Sequence, residues 1–361
     1  MKAGIITFHD TLNYGASLQC YALQKKLNSM GVDTDVIDYK CSWFNKRYSP
    51  FYIENKSLSK VLYMLAAMPM NVVKQKKKRE FHKRYLKLSS AYDRDTIKNT
   101  NDIYDLFITG SDQVFNWKLT DFDTTFFLDF VEKNKRKCSY AASFGFHQLD
   151  EDKREKYEEL LDGYYAMSVR EQSAVELVRD ITGKTAQLVS DPVFLLKKKD
   201  WAEIAKKVDM KNYILLYSIN DTDAYKYALK LAEKTGKKLV YLSAPVKRVG
   251  SFIPKRNIGP IDFLGWFYNA DYIVTDSFHG TAFSIIFEKQ FVSLLARQTH
   301  NGNSRLSNLL SIVGLDNRIV REELSLDTIA EKIDYSLVNE KLTEYVESSV
   351  NYLERITGAN E

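Results

Sequence analysis

The residues of this sequence with the plainest chemical potential form one short run, Asp276-Ser277-Phe278-His279-Gly280-Thr281. A histidine can give and regain a proton at neutral pH, so His279 is a candidate acid-base group. Ser277 has the side chain of a helix N-cap, and the N–H groups of a first helical turn, reinforced by the helix dipole, attract an anion. Gly280 lets a ligand approach the backbone closely, and Thr281 adds a hydroxyl. The chemistry suggested is proton transfer beside a bound phosphate or carboxylate. The same run reads equally as a capped helix start whose histidine is satisfied by a backbone carbonyl.

The flanking residues say which elements must hold this run. Tyr272, Ile273, Val274 and Thr275 suit a buried strand, whereas Ala282, Ile285 and Ile286 recur at helical spacing. The polar residues therefore sit between a strand's carboxyl end and a helix, where open α/β sheets bind ligands. Other polar groups follow strands in the same way. A strand over 3–8 leads through a loop containing Asn13 and Tyr14 to a helix over 15–30, then a strand over 34–39. That loop lacks G-x-G-x-x-G, so a dinucleotide fingerprint is absent, and Asn13 is either a ligand contact or a helix cap. A strand over 105–109 precedes Asp112, Gln113, Asn116 and Trp117, groups that suit a sugar's hydroxyls and ring face, or else an ordinary Asx turn. After a strand over 167–169, Arg170 could clamp a carboxylate or phosphate, or pair with Glu171 or Asp191.

The second half alternates again, with strands over 213–218, 238–242, 272–275 and 291–295. The polar stretch 296–304 reads as a loop before a helix over 305–313, from which Arg297, His300 and Arg305 could swing over His279. Two such alternations in 361 residues predict an α/β chain of two Rossmann-like, doubly wound domains facing across a cleft. The expected bounds are 1–195 and 196–325, followed by helices over 326–361. One side of the cleft would offer Asn13, Asp112, Gln113 and Trp117, the other His279 with arginines.

Composition narrows the class. With 52 basic and 47 acidic residues the net charge of +5 lacks the concentration of a nucleic-acid binder, so no nucleic acid is expected. Cys20, Cys41 and Cys138 have no metal or disulfide spacing, the first residues read as a strand rather than a signal peptide, and a cytoplasmic location is expected. The apolar run 61–73 is too short to span a bilayer but is followed by a polybasic segment. Residues 61–87 thus read either as a peripheral contact with an anionic membrane, at the inner face, or as a solvated helix.

Taken together, N-Y-G-A-S-L-Q at 13–19, G-S-D-Q-V-F-N at 110–116, S-V-R-E at 168–171, S-D-P at 190–192 and T-D-S-F-H-G-T-A-F at 275–283 resemble the polysaccharide pyruvyl transferase family. The resemblance implies a GT-B-like pair of Rossmann-type domains. It implies transfer of a pyruvyl unit from phosphoenolpyruvate, a co-substrate, onto a sugar of a cell-surface polysaccharide precursor as a cyclic ketal, with no cofactor and no metal. A lipid-linked form of the sugar acceptor is left open. The family's histidine falls on His279 and its first arginine on Arg170. Characterised members often carry R-L-H-G where this chain has Ser277-Phe278-His279-Gly280, and Arg297 and Arg305 are the cations able to take the missing arginine's place.

On this reading His279 protonates the donor's methylene over a phosphate held by the N–H groups of Gly280 and Thr281, with Ser277 and arginines beside it. Asp112 takes the acceptor's proton, and Asn13, Tyr14, Gln113, Asn116 and Trp117 bind the acceptor. The alternatives are a GT-B glycosyltransferase using a nucleotide-sugar and an inactive sugar-binding relative in polysaccharide assembly.

Overall fold

The computed structural model describes residues 1–47, 58–219, 223–245, 250–295, 300–320 and 326–358, and it divides into two compact units. The first comprises Met1–Ser49, His82–Leu196 and Glu344–Glu361, the second Pro50–Phe81 and Lys197–Thr343. This differs from the contiguous bounds expected from the sequence, because each unit takes a segment from a distant part of the chain.

The first unit is built on a seven-stranded parallel sheet. Its strands are β1 (Lys2–Ile6), β2 (Asp33–Tyr39), β3 (Leu88–Tyr92), β4 (Leu106–Asp112), β5 (Arg136–Ala142), β6 (Ser168–Val169) and β7 (Gln187–Leu188), in the order β3-β2-β1-β4-β5-β6-β7. The order reverses between β1 and β4, which pair through Ile5 and Ile108. Such a reversal opens a crevice at the strands' carboxyl ends. Both faces are apolar, as helices on either side of a parallel sheet require. One face gathers aromatic side chains, including Phe107, Phe115, Phe126, Phe127 and Tyr157. On the other, Ile5, Leu106 and Ile108 meet Tyr352, Leu353 and Ile356 of the helix Tyr335–Thr357.

That contact explains why the end of the chain belongs to the first unit. Full burial of Leu353 and Ile356 stabilises the unit by roughly 1.5–3 kcal/mol each. Tyr352 Oη donates to the Ser139 carbonyl at 2.7 Å, and Tyr345 Oη to the Val189 carbonyl at 2.7 Å.

The second unit carries β8 (Tyr213–Tyr217), β9 (Lys238–Leu242), β10 (Ile253–Lys255), β11 (Tyr272–Thr275), β12 (Gln290–Leu294) and β13 (Ile319–Val320), in the order β10-β9-β8-β11-β12-β13. All pairs are parallel, and the order reverses between β8 and β11. The chain thus contains two Rossmann-like domains, the make-up of a GT-B-like fold.

Two elements differ from what the sequence predicts. The strand expected over 105–109 runs on to Asp112, because that residue still pairs with Ala142 and its carbonyl accepts the Ser143 N–H at 2.9 Å. The loop expected through 304 gives way to a helix, His300–Ile312, whose buried Leu306, Leu309 and Leu310 supply packing that outweighs poor local propensity.

The first sheet also makes stability depend on pH. Lys137 on β5 donates to the Leu160 carbonyl at 3.1 Å and stands 4.4 Å from the Tyr164 ring, and burial pushes its pKa down from 10.5 to about 8. Between those values the unfolded chain holds a proton that the native chain has released, so this contribution to stability rises with pH from about 8 to 10.5. Thermal melts over that range should show the rise, and Lys137→Met should flatten it relative to the parent.

Candidate active site

At the carboxyl edge of the first sheet the sequence concentrates charge around Arg170. Parallel pairing of Val169 with Ala142 and Leu188 sets the ends of β5, β6 and β7 side by side. The Arg170 guanidinium, on a residue 3% exposed, meets Asp191 Oδ2 at 2.5 Å, Asp112 Oδ1 at 3.7 Å and Glu171 Oε1 at 4.0 Å. Burial works against its charge, but Asp191, Glu171 and Asp112 outweigh burial and hold its pKa above the usual arginine value. Ser111 Oγ donates to Asp191 Oδ2 at 3.1 Å, and Ser143 Oγ to Glu171 Oε1 at 2.5 Å. Asp191 Oδ1 accepts the Val193 N–H at 3.1 Å and so starts the turn Pro192–Leu195.

Asp112 closes β4 with φ +66°, a left-handed backbone that turns its carboxylate onto the Gln113 N–H at 3.0 Å. Beside it, Asn116 Nδ2 donates to Gln113 Oε1 at 2.8 Å, while Asn116 Oδ1 caps the next helix through the Lys118 N–H at 3.1 Å. This amide pair packs on Gly145, where φ is +69° and a Cβ would stand 1.9 Å from Gln113 Oε1. Only glycine leaves that space. The Lys118 and Lys153 ammonium groups each stand 5.2 Å from the centroid of the Trp117 ring.

Across the reversal point, exposed Asn13 caps the helix Tyr14–Ser29 through the Gly15 N–H at 2.9 Å, and Tyr14 is buried. Gln19 ties that helix to the residue just after β1 by donating to Thr7 Oγ1 at 2.9 Å, and Thr7 in turn donates to the Ser111 carbonyl at 3.2 Å. His9, which no sequence motif marks, has its Nε2 3.0 Å from Asp38 Oδ1, with Lys40 Nζ 2.7 Å from the same oxygen. Burial raises the Asp38 pKa, yet His9 and Lys40 more than offset it, and the carboxyl lies below its usual value.

In the second domain the strand–turn–helix forms as its sequence suggests, with β11 ending at Thr275 and the helix Phe278–Ile286 following. Asp276 spans the reversal between β8 and β11, accepting from Ser218 Oγ at 2.6 Å and the Ile219 N–H at 2.8 Å. Ser277 caps the helix through the Gly280 N–H at 3.4 Å, and the Thr281 N–H donates to the Ser277 carbonyl at 2.9 Å. Those two N–H groups, expected to cradle a phosphate, are therefore engaged within the turn itself. A Cβ at Gly280 would stand 2.3 Å from Thr275 Oγ1, so glycine is what lets the first turn press against the strand end. Thr281 Oγ1 lies 2.6 Å from Ser293 Oγ, tying the helix to β12.

His279 is 6% exposed and meets the Phe278 ring edge-on at 5.3 Å. Arg305 lies on the helix His300–Ile312, which packs beside the helix Phe278–Ile286. Arg297 lies outside the described residues. The structure thus gathers Asp112, Gln113, Asn116 and Arg170 along one sheet edge and Ser277, His279, Gly280 and Thr281 along another.

The sequence matches the polysaccharide pyruvyl transferase family over residues 13–296. The chain belongs to that family. The pyruvyl transferase match opens at Asn13 and takes in Asp112, Arg170 and His279, whereas Arg297 and Arg305 lie beyond its end. Membership makes the protein a transferase of polysaccharide pyruvylation.

Among solved structures, the chain is similar to the UDP-GlcNAc 2-epimerase from Neisseria meningitidis bound to UDP-GlcNAc, at 10% identity over 97% of this chain and 94% of that one, TM-score 0.47. The UDP-N-acetylglucosamine 2-epimerase from Rickettsia bellii gives 12% identity over 98% of each chain, TM-score 0.49. The E. coli heptosyltransferase WaaC with ADP gives 11% over 96% of this chain and 100% of that one, TM-score 0.43. At such identities the architecture rests on the two sheets themselves. No protein of curated function matches the sequence.

Proposed function

We propose that this transferase uses phosphoenolpyruvate as donor and joins its three-carbon unit to two hydroxyls of a precursor saccharide as a cyclic ketal. The observation that carries the reading is the position of His279, on the first helical turn beyond β11, beside the point where the second sheet reverses its strand order. Ligands of open α/β sheets bind at such points, and a helix start favours an anion there.

The histidine gives a proton to the donor's C3 methylene, which leaves C2 electrophilic. A sugar hydroxyl attacks C2 and loses its proton to Asp112. The C2–O bond to phosphate then breaks and inorganic phosphate leaves, taking the proton held by Asp112, and a second hydroxyl attacks C2 to close the ketal as its proton returns to His279. With the Gly280 and Thr281 N–H groups engaged by Ser277, the donor's charge falls to the helix dipole and to arginine, for which Arg305 is the candidate on the adjoining helix. Arg170, surrounded by carboxylates of its own domain, suits the orienting of Asp112 better than the clamping of a donor. Gln113, Asn116 and Trp117 suit the acceptor, with Asn13 and Tyr14 at the neighbouring strand end.

The test is incubation with phosphoenolpyruvate and a panel of free and lipid-linked saccharides in deuterated water. Phosphate release with solvent deuterium in the product methyl group is expected. Release of a nucleoside diphosphate from a nucleotide-sugar instead would make the protein a glycosyltransferase, and donor binding without turnover would make it a sugar-binding relative.

A further inference from the structure

The helix Leu58–Tyr85 presents two opposite stripes. Leu62, Leu65, Pro69, Val72, Lys76 and Arg79 recur at alternating three and four and are all exposed, Leu62 to 58%, Leu65 to 52% and Val72 to 47%. Ala67, Lys78 and Phe81 fall on the other side and are buried. Lys77 fixes the helix to its own domain, donating to Asp262 and to the Asn257 carbonyl at 2.8 Å each. The outward stripe is apolar for its first half, about 15 Å long, and cationic for its second. Among the described residues no helix is long and apolar enough to cross a membrane.

We propose that this outward stripe docks the protein on an anionic phospholipid surface, with Leu62, Leu65 and Val72 entering the headgroup–acyl boundary and Lys76 and Arg79 meeting lipid phosphates. Charge decides the occupant. A parallel second copy would set Lys76 and Arg79 against their equivalents, and an antiparallel one would set them on the apolar half. An anionic bilayer offers apolar depth and negative charge on one surface.

The test is sedimentation of the full chain with vesicles of phosphatidylserine and phosphatidylcholine, and with phosphatidylcholine alone. Binding to the anionic vesicles that high salt reverses is expected. Lys76→Gln with Arg79→Gln should weaken it by about 25-fold, roughly fivefold for each charge removed. Leu65→Glu with Val72→Glu should abolish it while the thermal midpoint stays that of the parent, since both side chains face solvent. Lys77 stays unaltered because it holds the helix to its domain, and Lys78 because it is buried. No binding, equal binding to neutral vesicles, or binding indifferent to both pairs would overturn the proposal. So would lipid-free self-association that Leu65→Glu dissolves, which would give the stripe to a second copy. Vesicle binding is read without any substrate, so this outcome stands apart from that of the transfer assay.

Discussion

His279→Ala is expected to lower turnover by about 10²–10⁴-fold, the usual contribution of a positioned acid-base group, while leaving the fold intact. The hydrogen bonds named for the turn come from its neighbours. Ser277 still caps the helix through Gly280, Thr281 still meets Ser293, and Ser284 Oγ still donates to the Gly280 carbonyl at 2.7 Å. The thermal midpoint should therefore move far less than the rate. Phosphate release from phosphoenolpyruvate in a single turnover, with deuterium incorporation into the methyl group, reads the proton step directly. A variant that turns over at the parent's rate would remove His279 from the chemistry.

Arg170→Met should show the reverse pattern, a large loss of stability. Its guanidinium is buried against Asp191, with Glu171 and Asp112 close by, and removing one partner of such a pair costs about 3–5 kcal/mol because charge is left uncompensated. For a domain of this size that lowers the melting midpoint by roughly 6–20 °C. Arg170→Lys should recover only part of it, since an ammonium cannot face several carboxylates as a planar fork does. Adding Asp191→Asn to Arg170→Met should restore stability relative to the single variant, because it removes one of the stranded charges. If Arg170→Lys kept full stability but lost donor affinity, the arginine would be a donor clamp after all.

The strand–turn–helix around His279 was legible because its information is local. A β-branched run, a capping serine and a helical period lie within a few residues of one another, and the structure forms them in that order. The alternation of strands and helices was legible for the same reason, and it predicted two doubly wound domains. The five quoted motifs carried the family. The asymmetry of the Leu58–Tyr85 segment was visible as an apolar run before a basic one, but not which of its lysines face water.

The sequence by itself therefore determined the fold class, the family and the residues offered at each strand end. Tertiary structure alone decided their partners. Arg170 meets Asp191 because β6 and β7 pair in one parallel register, Asp276 bridges two strands distant in sequence, and Tyr352 and Ile356 cover one face of a sheet begun at Lys2. The physical reason is range. Periodicity and capping act over a few residues, whereas register, burial and charge pairing depend on segments that folding brings together.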